Sequence, residues 1–111
     1  MPVSPSDLEL VDPVADSRVA IAVGGRLVVR LTENPTTGYR WHYTLTAQEV
    51  IECLQDDYVP TGQLRGSGGS RNLVFRASIP GSAGIRFSLQ RAWETGTPVK
   101  SFRIRVDVPG D

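Results

Sequence analysis

The 111-residue chain is poor in the groups from which most active sites are built. It has one cysteine, Cys53, so no disulfide closes within it and the fold must stand on its core. It has one histidine, His42, whereas zinc needs several nitrogen or sulfur ligands. Net charge is missing too, since twelve basic residues cancel twelve acidic ones, and no overall field draws the molecule to nucleic acid or to an anionic membrane. No apolar run approaches the roughly 20 residues that span a bilayer. Helical periodicity is nearly absent, with a single turn expected at the start of Thr46 to Leu54.

What is present is an ordinary globular balance, 40% hydrophobic and 22% charged in 12.1 kDa, which fits one soluble domain over residues 1–111 and leaves too little chain for two cores. Residues 1–17 are expected to be a loosely ordered N-terminal segment, and its acids Asp7, Glu9, Asp12 and Asp16 suggest no role. Met1 to Leu10 lacks a basic n-region and an apolar h-region. As written the start fits a cytoplasmic protein, with a periplasmic or secreted one requiring a leader removed upstream; a monomer is the default. The neutral total hides an asymmetry: nine acids and four bases in residues 1–64, three acids and eight bases in 65–111. In a small domain the halves interleave, so opposite-sign faces are expected, and no nucleic-acid motif accompanies the basic half.

Strict alternation dominates the rest. Val19, Ile21 and Val23 point one way; Leu27, Val29 and Leu31 alternate with Arg26, Val28 and Arg30. Tyr39, Trp41 and Tyr43 alternate with Arg40 and His42, and Leu73, Phe75 and Ala77 with Asn72 and Arg76. Ile85, Phe87 and Leu89 follow, then Phe102, Ile104, Val106 and Val108, while Val50 to Tyr58 is a less clean strand. A period of two means one buried and one wet face per strand, as in antiparallel sheets. About seven such strands, with Trp41 on a central one, fit an all-β, immunoglobulin-like antiparallel β-sandwich; a barrel is the other closure.

Three loops carry unusual residues. Thr32 to Gly38 holds Asn34, able to cap its own turn, Pro35, which fixes φ, and Gly38, which supplies a φ closed to β-branched residues. This rigid turn has Thr36 and Thr37 at its apex, small enough to enter a narrow cleft. Val59 to Ser70 is rich in glycine, with Gly66, Gly68 and Gly69, yet has no following Lys-Ser or Lys-Thr and no helix, so the phosphate-loop readings fail. It is either a flexible hairpin loop or a place where a partner chain approaches the backbone closely. Arg91 to Lys100 carries Trp93 among polar and turn residues; the indole either folds over the end of the core or stands with Arg91 as a binding anchor.

Asn34-Pro35-Thr36-Thr37-Gly38-Tyr39, Gly66-Ser67-Gly68-Gly69 and Arg91-Ala92-Trp93, in this order and spacing, resemble the chagasin-like inhibitors of papain-family cysteine peptidases. The resemblance runs from about Val19 to Val108. It implies the same sandwich and a reversible, non-covalent inhibitor that needs no cofactor. It further implies that the loop of Thr36 and Thr37 enters the active-site cleft, that Gly68 and Gly69 pair by backbone on the substrate-binding side, and that Trp93 with Arg91 packs on the primed side. Ala92 departs from the family, which commonly has proline there, leaving the third loop less preorganised.

Catalysis is not expected. His42 sits on an outward strand position, and a Cys53–His42 pair would need a third group to orient the ring. A carboxylate pair for glycoside hydrolysis would have to come from Glu33 and Glu94 on two of the loops. The second reading is an adhesion or carbohydrate-binding module that uses the same loop edge, with Trp93 stacking on a sugar ring.

Overall fold

Eight strands form in the computed structural model, which describes residues 7–13, 15–60, 68–91, 96 and 98–110, and the clearest of them are the segments with period-two alternation. They are β1 (Leu8–Val11), β2 (Ser17–Ala20), β3 (Arg26–Glu33), β4 (Tyr39–Leu45), β5 (Ile51–Pro60), β6 (Gly69–Ala77), β7 (Gly81–Arg91) and β8 (Lys100–Val108). A 3-10 turn, Pro35–Thr37, lies between β3 and β4. One sheet has the order β1-β3-β6-β5 and the other β2-β8-β7-β4. The expected all-β sandwich is therefore present. The β3–β6, β5–β6, β4–β7 and β7–β8 pairs are antiparallel, while β1–β3 and β2–β8 are parallel.

The parallel pairs come from the N-terminal segment. Leu8 and Leu10 pack against the core from β1, a strand that the alternation of longer segments does not reveal. Its acids secure backbone groups and arginines of the neighbouring strands. Arg26 N–H donates to Asp7 (3.1 Å), Thr32 N–H and hydroxyl both donate to Asp12 (2.7 Å each), and Arg103 N–H donates to Asp16 (2.8 Å). Glu9 pairs with Arg30. β1 with Asp7, Glu9 and Asp12 covers the otherwise open edge of β3, which would be free to pair with another chain, while Asp16 bonds to β8 of the other sheet.

The core lies where the sheets face each other. Phe75 of β6 and Phe87 of β7 are fully buried with ring centroids 6.2 Å apart and nearly perpendicular; Phe87 stacks on Phe102 at 4.8 Å. Burial of each such ring contributes roughly 1.5–3 kcal/mol. Leu27, Val29, Leu31, Leu73, Ala77, Ile85, Ile104, Val106 and Val108 complete the inward rows as their alternation predicts.

Four expectations are corrected. The first strand of the alternation reading ends at Ala20 rather than Val23. Ile21 is still buried, but Val23 is 52% exposed because the chain turns through Gly24 and Gly25, which bond to Ala77 O and Ala22 O. Trp41 lies on β4, an edge strand and not a central one. Leu89 is only half-buried, near the end of β7. Near Thr46 the chain makes a turn, closed by Val50 N–H on Ala47 O, that leads directly into β5.

The outer face of the second sheet gives one titration consequence. Arg18 and Ser82 donate to Asp107, with Arg105 adding a longer bond, and these contacts hold its carboxyl down at about 2 against an ordinary 3.8. A carboxylate depressed by folding contributes stability that is present above its unfolded value and lost as pH falls through the folded one. The melting temperature should therefore fall between about pH 4 and pH 2, and more shallowly in Asp107→Asn; identical acid limbs in thermal melts would contradict this assignment.

Candidate functional site

Strand register decides where the three loops emerge. Glu33, at the end of β3, is opposite Gly69, at the start of β6. Tyr39, at the start of β4, is opposite Arg91, at the end of β7. The turn 34–38, the β5–β6 connection and the β7–β8 connection thus leave the same end of the sandwich. Of the residues singled out by sequence, Asn34, Pro35, Thr36, Thr37, Gly38, Tyr39, Gly68, Gly69 and Arg91 come together there. Gly66 and Trp93 lie outside the described residues.

The first loop is held by its own side chains. Asn34 Oδ1 accepts from Thr36 N–H (3.1 Å) and from the Thr36 hydroxyl (2.7 Å). The Thr37 hydroxyl donates to Asn34 O (2.7 Å) and accepts from Tyr39 N–H (3.3 Å). Gly38 closes the turn at φ 83°, a region open to glycine. Both threonines remain exposed at the apex. Fixing these polar groups internally leaves little ordering entropy to be lost when the loop meets a partner.

Gly68 and Arg91, at the described ends of the other two connections, lie against this turn. A Cβ placed on Gly68 would be 3.4 Å from Glu33 O and 3.5 Å from Asn34 Cβ, so the glycine-rich connection ends against the first loop. At Gly69 a Cβ would collide with Val59 O and stand 2.6 Å from the Tyr58 hydroxyl and 2.8 Å from Pro60 Cα. Glycine is needed there by the chain's own close approach of β5 to β6. Arg91 donates to Thr37 O (3.2 Å), and its guanidinium carbon sits 4.4 Å from the centroid of the Tyr39 ring, a cation–π geometry. Arg91 therefore braces the first loop from the side of the third.

Sequence reading missed the group beneath the edge. Glu33 is 2% exposed and belongs to β3 rather than to a loop, which removes it from any exposed carboxylate pair. Its Oε1 accepts Trp41 N–H (2.7 Å) and Arg71 Nε (2.9 Å), and its Oε2 accepts Arg71 Nη2 (2.9 Å). Arg71 Nη1 continues to Asp56 (2.8 Å). The two carboxylates raise the Arg71 pKa above its already high ordinary value, the bond from Glu33 being the larger cause. The Trp41 indole N–H donates to Thr32 O (3.0 Å), and its ring meets Phe102 edge-on at 5.6 Å. The only available signal was an acid next to Asn34-Pro35 and an arginine two residues beyond Gly69.

His42 and Cys53 are not brought together as a catalytic pair. His42 is exposed on β4, whereas the half-buried Cys53 is on β5 of the other sheet and donates to Gln55 O (3.3 Å). Hydrogen bonding to the Cys53 side chain, with burial, pushes the Tyr43 phenol up to about 12, and both side chains pack against the core.

At one end of the sandwich the turn 34–38 is thus held by its own side chains and by Arg91, with Gly68 against its first stem. The chagasin family peptidase inhibitor model matches residues 20–108, and the chain belongs to that family, whose members inhibit peptidases and are not enzymes. It is 27% identical over 93 residues to chagasin of Trypanosoma cruzi, covering 79% of this chain and 84% of that one. The fold is similar to that of a cysteine protease inhibitor from Entamoeba histolytica, with a TM-score of 0.84 at 21% identity over 95% of this chain and 99% of that one. It is also similar to PbICP-C, solved in complex with falcipain-2, with a TM-score of 0.66 at 20% identity over 94% of this chain and 99% of that one.

Proposed function

We propose that the chain is a reversible, non-covalent inhibitor of papain-like cysteine peptidases and that its loop edge occupies the active-site cleft. The observation that supports this reading is the pair of registers, Glu33 opposite Gly69 and Tyr39 opposite Arg91, which set residues 34–39, Gly68, Gly69 and Arg91 at one end of the sandwich. The exposed apex of Thr36 and Thr37 acts as a wedge beside the catalytic cysteine and presents no bond in a cleavable geometry. Gly68 offers its backbone N–H and C=O to the substrate-binding side, next to Gly69, which is buried at the start of β6 opposite Glu33 and Pro60. Trp93 packs against the primed side, with Arg91 holding the adjoining turn. An interface of about 800 Å² per partner made by stiff loops is compatible with roughly nanomolar binding, about −12 kcal/mol.

Titration into papain should abolish turnover near one equivalent, with activity recovered on dilution. Full turnover at micromolar protein would exclude the reading. Trp93→Ala should weaken inhibition by about 2 kcal/mol, roughly thirtyfold in the inhibition constant. An unchanged constant with a lowered melting temperature would assign the indole to the core instead.

A further inference from the structure

We propose that Glu33 is a positioning residue that sets the wedge loop and the glycine-rich loop at a fixed separation. The inference rests on the reading of residues 34–39 and 68–69 as the peptidase-facing edge. At the end of β3 the chain leaves one sheet and enters the other through residues 34–38, so the wedge is a crossover between sheets rather than a hairpin tip. Nothing in a crossover fixes the angle between its two stems by strand pairing. β4 is an edge strand, and its Trp41 N–H, on the side away from β7, is taken by Glu33. One carboxylate therefore joins the two stems of the wedge, β3 and β4.

The same carboxylate reaches the second loop. Arg71 grips Glu33 with Nε and Nη2 and gives Nη1 to Asp56. Arg71 lies two residues past Gly69, and Asp56 lies on the strand that leads into the other stem of that loop. The ion pair is well shielded, with side-chain exposures of 15% for Arg71 and 1% for Glu33. A buried ion pair adds little net stability compared with apolar packing, because desolvation offsets the attraction, but its planar forked geometry is directional. Directionality is what four strands from two sheets need if two loops are to keep one spacing.

The test uses the full chain with papain as the probe, and reads both inhibition and loop protection. In Glu33→Gln the amide NH₂ faces the Arg71 donors, so the fork is lost while the Trp41 N–H can still be accepted. The inhibition constant should rise about tenfold or more, and the Thr36, Thr37 and Tyr39 amides, hydrogen-bonded within the turn, should exchange about tenfold faster in the free protein. Val106→Ala, in the core, serves as the control for destabilisation alone and should leave both readouts within about twofold at a temperature where it is fully folded. Should Glu33→Gln fail to fold, Arg71→Lys, which keeps the charge and loses the fork, carries the same comparison. Wild-type inhibition and loop exchange in the Glu33 variant, or an equal rise in Val106→Ala, would overturn the proposal. If the wild-type chain does not inhibit papain, the reading of the edge fails, and amide exchange alone then decides the positioning role.

Discussion

Thr36→Trp should raise the inhibition constant by about a hundredfold or more while leaving the melting temperature within a few degrees of wild type. Thr36 is exposed at the apex, so a larger side chain there meets solvent in the free protein. The turn keeps its Thr37 N–H bond to Asn34 O and the Thr36 N–H bond to Asn34 Oδ1, and only the Thr36 hydroxyl bond is lost. One exposed neutral hydrogen bond is worth about 1 kcal/mol or less. In a cleft that admits two small hydroxyl residues, an indole has no room, and a hundredfold corresponds to about 2.8 kcal/mol. Thr36→Ala provides the contrast, with a loss of less than about tenfold, because backbone and shape supply most of the contact. Equal inhibition by the tryptophan variant would mean that this apex does not enter the cleft.

Gly69→Ala should destabilise the folded chain by about 2–3 kcal/mol, the scale of overpacking in a closed site. The added Cβ meets the Val59 carbonyl and Pro60 Cα, backbone that cannot swing aside, as well as the Tyr58 hydroxyl. For a domain of this size each kcal/mol lowers the melting temperature by roughly 4–8 °C, so the loss is easily measured. The substitution separates the two reasons for glycine here. Room within the chain predicts a fall in stability, whereas access for a partner backbone alone predicts weaker inhibition at constant stability. A melting temperature unchanged from wild type would remove the internal requirement.

Legibility in the sequence followed sheet chemistry. β3, β4, β6, β7 and β8 were readable because each buries one face, and period-two alternation survives over at least five residues in each. β5 was blurred for a physical reason: its register against β6 shifts between Cys53 and Gln55, and such a bulge dislocates the alternation and leaves Leu54 half exposed. β1 was invisible because its four residues, although Leu8 and Leu10 turn inward and Glu9 outward, are too few to establish a period, and their order comes from parallel pairing with residues about nineteen positions on. The wedge turn was legible down to the Asn34 cap and the Gly38 φ, since both are local. Glu33 was not, because its partner is 38 residues away and only the β3–β6 pairing brings them together. Arg91 was read as a binding anchor, and its bonds to the first loop show a bracing contact that only the Tyr39–Arg91 register could reveal.

If the loop edge is the surface that meets the peptidase, complex formation must shield that edge first. Hydrogen exchange of the full chain, free and in complex with papain, tests this directly. Residues 34–39, 68–69 and those flanking Arg91 should gain protection together, while the exposed face of the β2-β8-β7-β4 sheet exchanges as in the free protein. Protection confined to that sheet face, with the amides of Thr36, Thr37 and Gly68 unchanged, would contradict it.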